Sequence, residues 1–435
     1  MDNRETFGSR FAVIMAMAGS AIGLGNIWRF PYMVGQGGGS AFIIVYLLST
    51  LVISLPIFLS EAVIGRKTHK GTFGAMQQLA PGTPWRWLGL LTVLSPLIIL
   101  SYYSVVGGWS VEFLLKSLTF SFSSGDQDKI MGFFGSFTSS FWGPLACHTV
   151  FLGICALIVV AGVKKGIEKF STWTMPILFL LIVFIMVYAL TLPGSKAGVD
   201  YLLKPDFSKL TAAAVASAMG QSFFSLSLGV GTILTYASYV HKDENLLRSG
   251  VGTATFDLLF ALIAGFAVMP AVFAAGIEPA AGPGLVFETL PFIFAKMGAA
   301  TPWLSGLVSI LFFLTILVAA VSSAISMLEV GVAYLVEEKH LSRGKAVAIL
   351  FAGCWTLGAL CAMSDALFSF CDKLISNFLM AFGGLLFTLF AGWYMKRADV
   401  REELKAGKAF GLLYFLIRYI APAAIVVIFL TNLFL

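Results

Sequence analysis

Seven polar residues stand inside long apolar runs of this sequence: Ser20, Asn26, Ser225, Ser227, Asp257, Ser322 and Ser323. No nucleophile–base pair and no cluster of metal-ligating side chains accompanies them. Three glycines, Gly19, Gly23 and Gly25, crowd around Ser20 and Asn26, and a similar run, FFSLSLGVG from Phe223 to Gly231, surrounds Ser225 and Ser227. Glycine weakens a helix by about 1 kcal/mol per residue relative to alanine. Close packing of neighbouring helices would use such glycines; so would a deliberate break. Unwound backbone in lipid is tolerated only where protein, a cavity or a ligand satisfies it. A half-helix beginning near Leu24 to Asn26 offers N–H groups to an anion, while the carbonyls that end the preceding half suit a cation. That combination fits a zwitterion held beside Na⁺.

The elements that must position these groups are membrane spans. The 435 residues are 58% hydrophobic and 11% charged, with mean hydropathy +0.91, outside the range of a soluble domain. Apolar stretches long enough to cross a hydrocarbon core recur along the chain. They predict eleven helices near 11 to 35, 40 to 65, 87 to 117, 144 to 162, 166 to 192, 212 to 239, 248 to 275, 302 to 336, 344 to 363, 372 to 395 and 410 to 434. The two glycine-rich spans each open a block of five, as an internal five-plus-five repeat would. The division is then 1–192 for the first repeat, 212–395 for the second and 410–434 for a last helix, all within one transmembrane domain.

The start, MDNRETFGSR, lacks the short apolar region and cleavage site of a secretory signal, so the first helix is expected to be retained. Most of the 28 lysines and arginines fall in segments on the N-terminal side. Positive-inside bias therefore puts the N-terminus in the cytoplasm and the C-terminus outside, in a multi-pass protein of the inner (cell) membrane. The net charge of +6 follows from topology and not from nucleic-acid binding, because no basic stripe is interleaved with aromatics. The five cysteines read as small buried hydrophobes. The segment from Pro283 to Gly298 reads as a short external element, either a lid or a connector.

Three stretches, AMAGSAIGLGNIWRFPY followed by GGGSAF, FFSLSLGVGTILTYASYV, and VSSAISMLE, strongly resemble the neurotransmitter:sodium symporter family, in its bacterial amino-acid transporter branch. The likeness covers nearly the whole chain. It implies an all-α LeuT-type fold with an inverted repeat and broken first and sixth helices. It also implies a transporter, not an enzyme, whose partners are a small-molecule amino acid and the lipid bilayer. One sodium site would use Gly19 and Ile22 with Ala319, Ser322 and Ser323. A second would use Ala21, Asn26, Ser225 and Asp257, giving two Na⁺ in all. Relatives that need chloride bind it at positions that are Tyr46, Gln221, Ser225, Asp257 and Ala261 here. Asp257 supplies a negative charge there, so no chloride requirement is expected.

The resemblance places a substrate carboxylate against the Leu24 and Gly25 amides and the Tyr103 hydroxyl. The amine would meet carbonyls of Ala21, Phe224 and Ser225 near Ser227. Gly23, where monoamine transporters carry an aspartate, points to amino acids. Ser20, Ile99, Tyr103, Phe224, Val230, Ser323 and Met327 would line a mostly apolar side-chain pocket, which disfavours charged side chains. An outer gate would pair Arg29 with Asp372, and an inner one would pack Arg4 and Phe7 against Tyr239 and Glu337. Gly166 and Pro176 allow either a local opening or a static kink in the fifth span. The expected function is sodium-coupled symport of neutral, hydrophobic or aromatic L-amino acids by alternating access. The competing readings are a proton-coupled transporter of the same fold, using Asp257, Glu61 or Glu329, and a non-transporting amino-acid receptor.

Overall fold

The computed structural model describes residues 5–122, 127–276, 285–298 and 301–434. Nine continuous helices among them are long and apolar enough to cross a membrane: Ser40–Thr68, Arg86–Leu118, Trp142–Val160, Val163–Thr191, Leu246–Ala274, Pro302–Lys339, Arg343–Met363, Asp365–Tyr394 and Gly407–Thr431. Two broken pairs complete the eleven spans, which are numbered first to eleventh in chain order. Arg10–Ala21 and Gly25–Gln36 meet at a bend of 57°, and Ala212–Ser225 is separated from Thr232–Ala237 by an irregular stretch.

Local sequence sets several of the starts. Ser9 accepts from the Ala12 amide, Thr211 from Ala214, and Asn245 from Arg248, at 3.1, 3.1 and 2.9 Å, so three helices begin on a side-chain cap. The first break falls where Ile22 turns extended (ψ 112°), and the Asn26 amide reaches back to the Gly23 carbonyl at 3.2 Å. In the sixth span, Ser227 and Gly229 take positive φ of 53° and 80°. Gly229 also lies hard against the Met380 carbonyl, so a side chain there would fail on both counts.

The second and third spans are 67% buried over their most apolar stretch, against 28% for the fifth and ninth. The former belong to the core and the latter face lipid. The eighth span packs along the third, and the seventh along the fifth and against the first half of the first. All five cysteines are buried and free, as their apolar surroundings predict. The fifth span runs helically through Pro176 and carries a π-helical turn, Val163–Glu168, at Gly166. The described part of the segment from Pro283 to Gly298, residues 285–298, packs onto the bundle. Phe287 stacks on Phe134 (5.6 Å) and meets Phe113 (5.1 Å), while Phe294 meets Phe312 (5.7 Å).

Candidate functional site

The two breaks meet. The Ser227 hydroxyl donates to the Ser20 carbonyl at 2.9 Å, tying one interruption to the other. Beside this contact lies Asp257 of the seventh span, fully buried. Its Oδ1 accepts from Asn26 Nδ2 at 2.7 Å and its Oδ2 from the Ser225 hydroxyl at 2.8 Å. Tyr46 donates to Ser225 Oγ at 3.2 Å. A carboxylate at this depth is costly unless paired, and here three neutral groups from the first, second and sixth spans surround it. The Asn26 Oδ1 accepts from the Gly23 amide at 3.2 Å, so the same side chain also holds the break. Ala261 is buried one turn further along, and Gln221 Nε2 donates to the Gly25 carbonyl at 3.3 Å.

On the other side of the first break, the oxygen donors are neutral. Ser322 and Ser323 both donate to the Ile22 carbonyl, at 3.2 and 3.1 Å, and Ser322 also to the Ala319 carbonyl at 2.8 Å. Gly19 faces Ser322 and, across it, Ser171 and Met175 of the fifth span. The sequence-selected groups on this side thus converge on one point of the first span.

Between and above these clusters opens a cavity of about 300 Å³. Eleven of the twelve residues assigned to the substrate reach its wall: Ala21, Leu24, Gly25, Ile99, Tyr103, Phe224, Ser225, Ser227, Val230, Ser323 and Met327. Ser20 does not; its hydroxyl turns away to Ser326 at 2.8 Å. The Leu24 amide points to the Tyr103 hydroxyl at a long 3.3 Å. Gly23 has no room for a side chain, because a Cβ would collide with the Ser323 hydroxyl and lie 3.0 Å from that of Tyr103.

Sequence reasoning missed the outer half of the wall, formed by Trp28, Tyr32, Tyr102, Val106, Phe368 and Asn377. Helical spacing could have found several of them. Trp28 and Tyr32 follow Leu24 by one and two turns, and Tyr102 and Val106 flank Ile99 and Tyr103 at i+3 and i+7. It also missed the support of the sixth-span break. Glu61, fully buried in the second span, accepts from the Gly229 amide at 2.7 Å.

Arg29 and Asp372 both line the outer part of the cavity, but they are not in contact as an ion pair. The Arg29 guanidinium sits over the Phe224 ring at 4.4 Å, and Asp372 accepts from Ser376 at 3.0 Å. At the opposite end, Phe7 is buried edge-on against Tyr236 (5.9 Å) and Tyr239 (6.1 Å), and its amide donates to the Tyr239 carbonyl at 3.0 Å. Arg4 lies outside the described residues. Glu337 accepts from the Gly71 amide at 2.8 Å. Tyr239 donates to Glu329 at 2.7 Å, and Arg343 pairs with the same carboxylate. This end is therefore tied shut by more groups than the sequence suggests, while the charged residues at the other end stand apart.

A small-molecule-sized cavity at two broken spans, flanked by oxygen-donor clusters, is the architecture of a secondary transporter. The sodium:neurotransmitter symporter family model matches residues 4–129 and 126–435, and the chain belongs to that family. It is 36% identical to the sodium-dependent transporter YhdH of Bacillus subtilis over 97% of this chain and 96% of that one. It is 34% identical to the sodium-dependent transporter MJ1319 of Methanocaldococcus jannaschii over 92% and 84%. With the sodium-dependent serotonin transporter of Drosophila melanogaster it shares 26% over 99% and 76%. The crystal structure of MhsT in complex with L-phenylalanine superposes with a TM-score of 0.92 at 39% identity, covering 99% of this chain and all of that one. The chain is thus a multi-pass membrane protein of a sodium symporter family, with a LeuT-type fold.

Proposed function

We propose that the chain couples Na⁺ entry to uptake of neutral, hydrophobic or aromatic L-amino acids by alternating access, without chloride. One observation carries this reading: the cavity offers main-chain N–H groups and a tyrosine hydroxyl at one end, an apolar wall at the other, and no carboxylate at Gly23. The substrate carboxylate binds at Leu24, Gly25 and Tyr103, and the amine at the carbonyls of Ala21, Phe224 and Ser225. Ile99, Val230 and Met327 admit a bulky apolar side chain. The phenylalanine bound by MhsT supports that size class.

Two sodium ions are cargo on this reading. One binds at Asp257 together with the Asn26 and Ser225 side chains and the Ala21 carbonyl; the other binds between Gly19, Ile22, Ala319, Ser322 and Ser323. The Asp257 carboxylate, beside Tyr46 and Ser225, carries the charge that chloride would otherwise bring, which supports chloride independence. Arg29 and Asp372 close the outer side once substrate is bound, and the Phe7, Tyr239 and Glu337 layer opens the inner side. The repeats 1–192 and 212–395 rock against each other around the site, with 410–434 outside them. The N-terminus faces the cytoplasm and the C-terminus the exterior of the cell membrane.

A binding screen of the twenty amino acids tests the substrate assignment. Thermal stabilisation of the purified protein is measured in Na⁺ and in K⁺, both without chloride. Stabilisation by phenylalanine, leucine or similar residues in Na⁺ alone supports the reading. Stabilisation by aspartate or lysine instead refutes it.

A further inference from the structure

The eleventh span carries an arginine that the transport site does not use. Arg418 stands halfway along the 25-residue span Gly407–Thr431, within a π-helical turn, Leu416–Ile420. Its guanidinium lies over the Trp393 ring at 4.3 Å and near the Tyr419 ring at 5.5 Å. Among the described residues no carboxylate comes within ion-pair distance of it, and its buried Nε has no acceptor. A cation at that depth requires a counter-charge, and aromatic faces supply only part of one.

The surroundings are built for close approach. Trp393 Nε1 donates to the Arg418 carbonyl at 2.8 Å, and Tyr414 donates to the Gly392 carbonyl at 3.0 Å. A Cβ on Gly392 would press on the Arg418 backbone at 2.9 Å. Arg397, on the other side of Tyr414, lies over that ring at 5.2 Å and is likewise without a carboxylate partner among the described residues. Around them the chain is apolar and open: Leu412, Phe415 and Val427 are each at least half exposed.

We propose that Arg418, walled by Trp393 and Tyr419 and with Arg397 at the rim, binds the phosphodiester of an anionic phospholipid whose acyl chain lies along the eleventh span. The planar guanidinium fork matches two phosphate oxygens. Free phosphate does not partition among acyl chains, whereas a long arginine stem lets the guanidinium extend toward the headgroup of a lipid lying beside the span. A second copy of the chain is a poor occupant. The eleventh span contains no aspartate or glutamate, so a two-fold contact through it would bring arginine against arginine.

The purified full chain is exchanged into detergent with equal amounts of phosphatidylglycerol and phosphatidylcholine of matched acyl chains, and retained lipid is weighed by native mass spectrometry. The wild type retains phosphatidylglycerol preferentially. Arg418→Gln lowers that preference about fivefold, as expected for one arginine in a membrane field, and Arg397→Gln lowers it in the same direction by less. Arg397 is exposed, so its variant keeps the test sound if Arg418→Gln folds poorly. Equal retention of the two lipids, a preference unchanged in the Arg397 variant, or recovery of a lipid-free dimer overturns the proposal.

Discussion

The break in the first span and the break in the sixth share a hydrogen bond from Ser227 to Ser20, yet their backbone groups have different partners. At the sixth, the Gly229 amide is held by the buried carboxylate of Glu61 at 2.7 Å, and Thr232 donates to the Ser227 carbonyl at 3.0 Å. At the first, the Leu24 amide borders the cavity and has only a long contact to Tyr103. The sixth interruption is closed by a buried side chain, whereas the first keeps the Leu24 amide at the cavity wall. On the proposed function, unwound backbone serves two purposes in one molecule: a fixed corner at the sixth break and a ligand contact at the first.

Variants in the two breaks should therefore fail in different assays. The largest effect is expected from Glu61→Ala, which leaves the buried Gly229 amide without its side-chain acceptor; stability without substrate should fall by about 1–3 kcal/mol in thermal or denaturant unfolding. Wild-type unfolding behaviour of this variant would mean that the sixth break supports itself. Next is Asp257→Asn, which removes the internal charge. Na⁺-driven uptake in chloride-free buffer should drop about tenfold, ~1.4 kcal/mol, and added chloride should restore much of it.

Tyr103→Phe probes the open break directly. It should weaken substrate binding about fivefold, near 1 kcal/mol, measured by titration in saturating Na⁺, while the substrate-free protein unfolds as the wild type does. The smallest effect belongs to Ser323→Ala, which removes one of two hydroxyls at the Ile22 carbonyl. The Na⁺ concentration for half-maximal uptake should rise about two- to threefold. A larger loss of substrate affinity than of Na⁺ affinity would leave Ser323 with its substrate role alone.

The eleven spans and both interruptions were legible because apolar length and glycine clustering are local properties of the chain. The oxygen donors were legible too, since Asn26, Asp257 and the Ser322–Ser323 pair stand out in apolar surroundings. What tied them together was not. Glu61 reaches a backbone amide 168 positions away, and nothing near it in sequence signals an acceptor for the sixth break. The separation of Arg29 from Asp372 is likewise a matter of how two spans tilt, which residue types do not encode. The inner end shows the same limit. Phe7 and Tyr239 meet, but the Arg343–Glu329 pair that backs them depends on a helix start at Arg343 folding over the end of the eighth span.

On the proposed function Na⁺, and not H⁺, drives an amino acid through the cavity at the first break. The purified protein in liposomes, with radiolabelled phenylalanine outside, is given an inward Na⁺ gradient at equal pH, or an inward H⁺ gradient without Na⁺, both in chloride-free buffer. Accumulation above equilibrium is expected under the Na⁺ gradient alone. Accumulation under the H⁺ gradient without Na⁺ would contradict it, as would binding with no transport under either.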